Sequence, residues 1–262
     1  MQIIQRSTNV PDLYVVVEVA GTPLVKLGPN EGYDVVEAVE AVAPELEQGR
    51  QDGGYDLVVI GAGPAGFGAM VHARERGLHA VCLEADRLAS TVVNMYKRKL
   101  LFALPTSLEL KGSVWFEECR REELLERWRA RWKRNGLDIR EHEKVIDIQR
   151  LDGRLEVVSE KGRYPAREVI LAIGKAGNPR EAGVPGGGAR RARAPRVSDS
   201  ESVRDQRVLI YGGGDVALEA ARWRKARRSC TCRPRSRPST PTTPCWRAPT
   251  GPSSAPPTSC SR

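Results

Sequence analysis

The chain has 262 residues, and its 42 Lys and Arg against 33 Asp and Glu give a formal net charge of +9. The excess sits at one end: Trp223 to Arg262 holds eight Arg, one Lys and no acid, so residues 1 to 222 are electrically balanced and give no reason to expect a nucleic-acid partner. Apolar runs fall far short of the roughly 20 residues that cross a bilayer, and Met1 to Val10 has no leader-like pattern, so a cytoplasmic protein without a membrane partner is expected.

In chain order, the first candidate elements are a strand within Asn9 to Gly21 and a helix over Asn30 to Val42. Tyr55-Asp-Leu-Val-Val-Ile60 reads as a buried parallel strand. Gly61, Gly63 and Gly66 complete G-x-G-x-x-G directly after it, and Pro64 falls at the first helical position, where its missing N–H costs nothing. The helix is predicted to run to about Gly77, with Ala65, Ala69 and Ala73 as a small-residue stripe toward the sheet, and His79 to Glu84 to be the next strand. Arg121 to Asn135 has helical periodicity, with Leu124, Leu125, Trp128 and Trp132 on its core face. Lys144 to Arg150, Leu155 to Glu160 and Arg167 to Ile173 are strand-like, and Asp152-Gly153 marks a tight hairpin between the first two. They predict an antiparallel meander feeding a last strand that ends at Gly174. After a Pro/Gly/Arg-rich connection, Arg207 to Tyr211 forms another buried strand, and Gly212, Gly214 and Ala217 make a second G-x-G-x-x-A turn into a helix near Asp215.

From Trp223 onward, Arg, Pro, Ser, Thr and Cys supply 33 of 40 residues, which predicts disorder and no second strand for the second unit. So abrupt a change near Ala221 is what a shifted reading frame would produce. Four of the six cysteines lie in this tail and no C-x-x-C occurs, so neither a dithiol centre nor a metal site is predicted. Cys82 should be buried and inert, and His72, His79 and His142 satisfied or at the surface. Lys97-Arg98-Lys99 reads as a solvated turn, and Arg233, Arg235 and Arg237 as a solvated tail.

A glycine loop between strand and helix brings free N–H groups and a positive helix end to a pyrophosphate, with no side chain in the way. An acid at the tip of the next strand can accept hydrogen bonds from ribose hydroxyls, and Glu84 stands there, 18 residues past Gly66. The fold class is therefore α/β: a Rossmann-like dinucleotide fold with an inserted helix and β-meander, then the start of a second Rossmann-like fold.

Two such units, the first holding a helix and a meander, resemble the two-domain flavoprotein reductases of the pyridine nucleotide-disulfide oxidoreductase superfamily over roughly Tyr55 to Ala221. Leu88 to Tyr96 and Pro105 to Leu110 are similar to the thioredoxin-reductase-like and bacillithiol-disulfide-reductase-like branch. The resemblance implies FAD at Gly61, Gly63, Pro64, Ala65, Gly66, Glu84, Val145 and Gly174, and NAD(P)H at Gly212, Gly214, Asp215 and Ala217. It implies electron transfer from NAD(P)H through flavin to a small-molecule or redox-protein acceptor, with a homodimer as one possible assembly; no catalytic residue is nominated. The dithiol of thioredoxin reductases is absent, and Ala65 stands where the bacillithiol branch carries Cys. A non-catalytic flavin-binding module working beside another chain is the alternative, whereas a flavin monooxygenase is disfavoured by the lack of an F-x-G-x-x-x-H-type motif.

Asn9 to Gly21 resembles the segment that normally comes last in these reductases, with Glu18 matching its acid and Val17 replacing the usual glycine. Three readings stay open: the end of a preceding module, a permuted segment docked on this chain's own FAD fold, or a plain strand and helix. The expected divisions are 1-50 for this extension, 51-185 for the FAD fold, 186-222 for the truncated NAD(P) fold and 223-262 for the tail.

Overall fold

The computed structural model describes residues 8–16, 24–42, 54–151, 153–174, 209–211, 213–214, 217–218, 221 and 231–233. Two compact units divide the chain, Met1–Ala182 and Gly183–Arg262.

In the first unit a seven-stranded sheet is built on β2 (Tyr55–Ile60), which is followed by α2 (Pro64–Glu75) and β3 (Ala80–Leu83). β2 pairs in parallel with β3, and β3 with the short β6 (Ile139–Arg140). On the other side β2 pairs in parallel with β9 (Arg163–Leu171). The antiparallel meander β7 (Val145–Leu151), β8 (Arg154–Ser159) and β9 joins the first half of β9. Its tight turn falls where Asp152-Gly153 predicts it. Gly153 has φ +82°, in the left-handed region that favours glycine, while Asp152 is outside the described residues. β9 is one continuous strand, beginning four residues before the expected Arg167. Pro165, which argues against a central strand, pairs only with Glu156 of β8, because β2 joins β9 from Ala166 onward.

Alternation along β2 divides the core. Leu57 and Val59 face α1 (Leu27–Val42), α2 and α4 (Arg121–Asn135), while Val58 and Ile60 face Leu155, Val157, Tyr164 and Ala166 of the meander side. α4 has the predicted bounds. Glu122 and Glu123 lie in its first turn, Lys133 and Arg134 in its last, and Gly136 closes it at φ +55°. Trp128 is fully enclosed, stacked on Phe67 at 4.9 Å and donating Nε1–H to Trp115 O at 2.9 Å, whereas Trp132 is half-buried. Shorter elements follow β3: α3 (Ser90–Val93), then β4 (Leu100–Leu101) paired with β5 (Cys119–Arg120).

The N-terminal segment is part of this unit. β1 (Leu13–Val15) pairs in parallel with Val169, Ile170 and Leu171 on the second half of β9. α1 starts three residues before the expected Asn30, because Pro29 lies in its first turn, where no intrahelical N–H bond is lost. It packs on α2 at backbone distance: a Cβ on Gly32 would stand 2.1 Å from Ala65 O, and one on Gly68 would stand 2.6 Å from Pro29 Cα.

In the second unit, β10 (Leu209–Tyr211) pairs in parallel with β11 (Thr231–Arg233). This corrects the expectation that no second strand follows the second glycine turn and that the tail is wholly disordered. Composition measures how much apolar surface a segment can bury, but three residues of parallel pairing use only main-chain groups. The remainder of the tail, including Arg235 and Arg237, lies outside the described residues. No helix among the described residues is long and apolar enough to cross a membrane.

Candidate functional site

The first glycine loop lies at the carboxyl end of β2, and its glycines are required for different reasons. Gly61 has φ +101°, and a Cβ there would stand 2.6 Å from Ala172 O. A Cβ on Gly66 would stand 1.8 Å from Gly61 O, so this glycine lets α2 pack onto the loop. Gly63 is different. Its φ is −69°, and a Cβ would meet nothing nearer than Ala172 O at 4.0 Å. Neither conformation nor internal packing demands glycine there, and the space in front of it is open. No side chain caps α2 at Gly63, and Pro64 occupies the first helical turn, so the following N–H groups face that space without a side-chain acceptor. Ala65, buried in the same turn, lies under α1.

Glu84 ends the neighbouring strand and is 7% exposed. Its Oε2 accepts the Ala62 N–H at 2.7 Å and its Oε1 the Asp86 N–H at 2.8 Å, which ties the acid to the glycine loop. Each carboxylate oxygen keeps lone pairs for hydroxyl donors. Ala89 N–H, at the start of α3, donates to Ala62 O at 2.8 Å, so α3 borders the same crevice. Gly174, at φ +59°, follows β9 two residues past Ala172, beside Gly61. Gly61, Gly63, Pro64, Ala65, Gly66, Glu84 and Gly174 are thus gathered at one end of the sheet. Glu143 N–H donates to Glu84 O at 2.8 Å, and Val145, half-buried, opens β7 two residues later. Burial alone would raise the Glu143 carboxyl, but hydrogen bonds from Tyr164 and Ser159 outweigh it and hold the group below the usual carboxylate range.

Several residues that the sequence singled out are structural. His72 is buried, with Nε2 at 2.7 Å from Glu37 Oε1 and its ring stacked on Tyr33 at 3.8 Å, so it fastens α2 to α1. His79 stacks on Tyr55 at 4.6 Å. Cys82 and Cys119 are both buried free thiols, and burial raises the pKa of each. Lys97 and Arg98 are exposed. A cavity of about 400 Å³ lined by Gly54, His79, Gly136 and Asp138 lies at the opposite, amino end of β2 and β3, away from the glycine loop.

Sequence reasoning missed the groups that dock the N-terminal segment. Glu168 of β9 is 6% exposed, bonded by the Tyr14 hydroxyl of β1, and its Oε2 has no partner. Burial, then the Asp12 charge, push its carboxyl up to about 7, and Tyr14 is pushed up to about 12, chiefly by burial and then by Glu168. Nothing in one strand's pattern could reveal this pairing, since the partners are separated by most of the unit. Val17 and Glu18 are outside the described residues. In the second unit, Gly214 O accepts N–H bonds from Ala217 at 2.9 Å and Leu218 at 3.1 Å, which starts the expected helix, whereas Gly212 and Asp215 are outside the described residues.

Parallel strands, an uncapped helix start over an open glycine and an acid on the adjoining strand end define a Rossmann-like dinucleotide-binding fold. Residues 58–228 match the family model described as pyridine nucleotide-disulphide oxidoreductase, and the chain belongs to that family. It is similar to the thioredoxin reductase of Peptoclostridium acidaminophilum, 31% identical over 64% of this chain and 50% of the relative. It is also similar to the ferredoxin–NADP reductase of Ignicoccus hospitalis, 28% identical over 63% of this chain and 51% of the relative. The chain therefore spans about half the length of these curated relatives. Among solved structures, the bacillithiol disulfide reductase of Staphylococcus aureus superposes with TM-score 0.59 at 22% identity, over 68% of this chain and 56% of that one. The Lactococcus lactis thioredoxin reductase gives 0.53 at 23% identity, over 68% and 55%; at such identities the likeness is one of fold.

Proposed function

We propose that the chain holds FAD in its first unit and NAD(P)H at its second glycine turn, as the flavin part of an oxidoreductase that passes electrons from NAD(P)H to a small-molecule or redox-protein acceptor. Gly63 is the observation that supports this most directly: a glycine that the protein's own packing does not require, beside free helix N–H groups and within reach of Glu84. The residues fit a dinucleotide. The backbone from Gly61 to Gly66 would hold the pyrophosphate, Glu84 the ribose hydroxyls, and Gly174 and Val145 would border the cofactor. Gly212, Gly214, Asp215 and Ala217 would take the corresponding role toward NAD(P)H. Bound FAD would supply hydride acceptance from nicotinamide and onward electron transfer. This chain's residues would hold and orient the dinucleotide.

The docked β1 and α1 support the reading of the segment from Asn9 as a permuted piece docked on this chain's own FAD fold. The names of the curated relatives support a redox-protein acceptor. Thiol-disulfide chemistry within the first unit gains no support, because Cys82 and Cys119 are buried. Anaerobic titration of the FAD-reconstituted chain with NADH and NADPH tests the reading. Bleaching of the flavin visible absorbance by either nucleotide is expected. Failure to take up FAD would refute the first-unit assignment. A flavin reduced by dithionite but by neither nucleotide would leave a non-catalytic flavin module.

A further inference from the structure

Residues 102–111 have no regular secondary structure beyond a turn at 106–107, so their backbone groups need partners from elsewhere. Several come from the N-terminal segment. Lys26, just before α1 and 7% exposed, donates from Nζ to Ala103 O at 3.0 Å and to Pro105 O at 2.8 Å. Asn30, 5% exposed, donates Nδ2–H to Glu109 O at 2.7 Å and accepts the Lys111 N–H on Oδ1 at 2.8 Å. Asp34 accepts from Lys111 Nζ at 2.6 Å. Lys26, Asn30 and Asp34 are spaced i, i+4 and i+8, so one polar stripe along α1 meets one segment at successive turns.

A different face of α1, that of Gly28 and Gly32, lies against the start of α2. A Cβ on Gly28 would stand 2.6 Å from Pro64 Cβ and 3.1 Å from Ala65 N. Residues two apart on a helix point about 200° from each other, so α1 is packed between residues 103–111 on one side and the start of α2 on the other. Residues 103–105 are fastened to Lys26, with Phe102 and Leu104 58% and 56% exposed. A buried ammonium and a buried amide that spend their donors on main-chain carbonyls hold more firmly than apolar contact, because on release these buried donors would be left unmet.

We propose that Lys26, Asn30 and Asp34 are positioning residues that fix residues 103–111 against α1, whose other face bears on the start of α2, so that the order of this segment depends on the docking of α1. On the FAD reading, the crevice's affinity for FAD then depends on the same three residues.

The test uses the full chain with Lys26→Met and Asn30→Leu, and two measurements: amide hydrogen exchange without FAD, and FAD affinity from quenching of flavin fluorescence. Exchange across 103–111 should quicken by about tenfold or more in both variants while 145–171 keeps its protection, and the FAD Kd should rise by a similar factor. Lys26→Arg, which keeps cationic donors, should recover most of the protection. Should Lys26→Met also expose 145–171, Asp34→Ala at the exposed end of the stripe carries the test, read as faster exchange at Lys111. Unchanged protection of 103–111 in the variants would overturn the proposal, as would lost protection with an unmoved FAD Kd. A wild-type chain that takes no FAD but gives the expected exchange pattern would refute the FAD reading and leave the clamp intact.

Discussion

Replacing Glu168 by Gln tests how the N-terminal strand is held. The carboxyl is enclosed between β9 and β1, receives one hydrogen bond from Tyr14, and leaves Oε2 without a partner. Burial first, then repulsion from Asp12, raise it from 4.5 to about 7 against the smaller pull of the Tyr14 bond, Arg150 and Arg167. A carboxyl raised on folding binds its proton more tightly in the native state. Its contribution to stability is thus fully present below 4.5, falls as pH climbs toward 7 and is level beyond. At about 1.4 kcal/mol per pH unit, that interval sets a ceiling of about 3 kcal/mol, and relaxation around the charge brings the expectation to about 1 to 3 kcal/mol. Gln has nearly the same shape, can accept the Tyr14 hydroxyl and cannot ionise. Urea unfolding followed by tryptophan fluorescence should therefore find Glu168→Gln more stable than wild type at pH 8 by that amount, with the difference shrinking toward zero near pH 4.5. Glu122 and Glu143, whose carboxyls are held low, act with the opposite sign but are common to both proteins and cancel. A Gln variant that is less stable at pH 8, or whose pH profile parallels wild type, would refute the reasoning.

Other substitutions probe the crevice and the core. Gly66→Ala would bring a Cβ to 1.8 Å from Gly61 O, so α2 must move off the loop, and the FAD Kd should rise by at least about 100-fold; quenching of flavin fluorescence measures it. Gly63→Ala separates ligand from packing, since its Cβ has open space: urea unfolding should change by less than about 0.5 kcal/mol while FAD affinity falls, and equal loss of both would contradict the account. Glu84→Gln keeps one acceptor but turns an amide N–H₂ toward the donor of Ala62 or Asp86, which should cost about 1 to 3 kcal/mol in urea unfolding and weaken FAD binding. Trp128→Ala empties the space beside Phe67 and frees Trp115 O, with an expected loss of about 3 to 5 kcal/mol in the same unfolding assay.

The parts legible in the sequence are those in which local pattern and tertiary role coincide. The run Tyr55 to Ile60, the three glycines and Pro64 specify strand, loop and helix within a dozen residues, and α4 declares itself through its apolar face and terminal charges. The spacing of Glu84 was readable because the intervening helix has a fixed length. β4, β5 and β6 were not, since two residues of pairing leave no periodicity. β1 was open to three readings because its partner, β9, lies more than a hundred residues away, and only the tertiary fold brings Tyr14 to Glu168. The same holds for His72, which looks isolated until α1 brings Tyr33 and Glu37 to it. β11 shows the limit of composition: a segment poor in apolar residues can still add a short strand.

Flavin content tests the central claim most directly. After incubation with excess FAD and desalting, the chain should retain stoichiometric FAD, released intact on denaturation, and Gly66→Ala should retain little. A chain that unfolds cooperatively in urea yet leaves the column colourless would contradict the assignment of the glycine loop and Glu84 as a dinucleotide site.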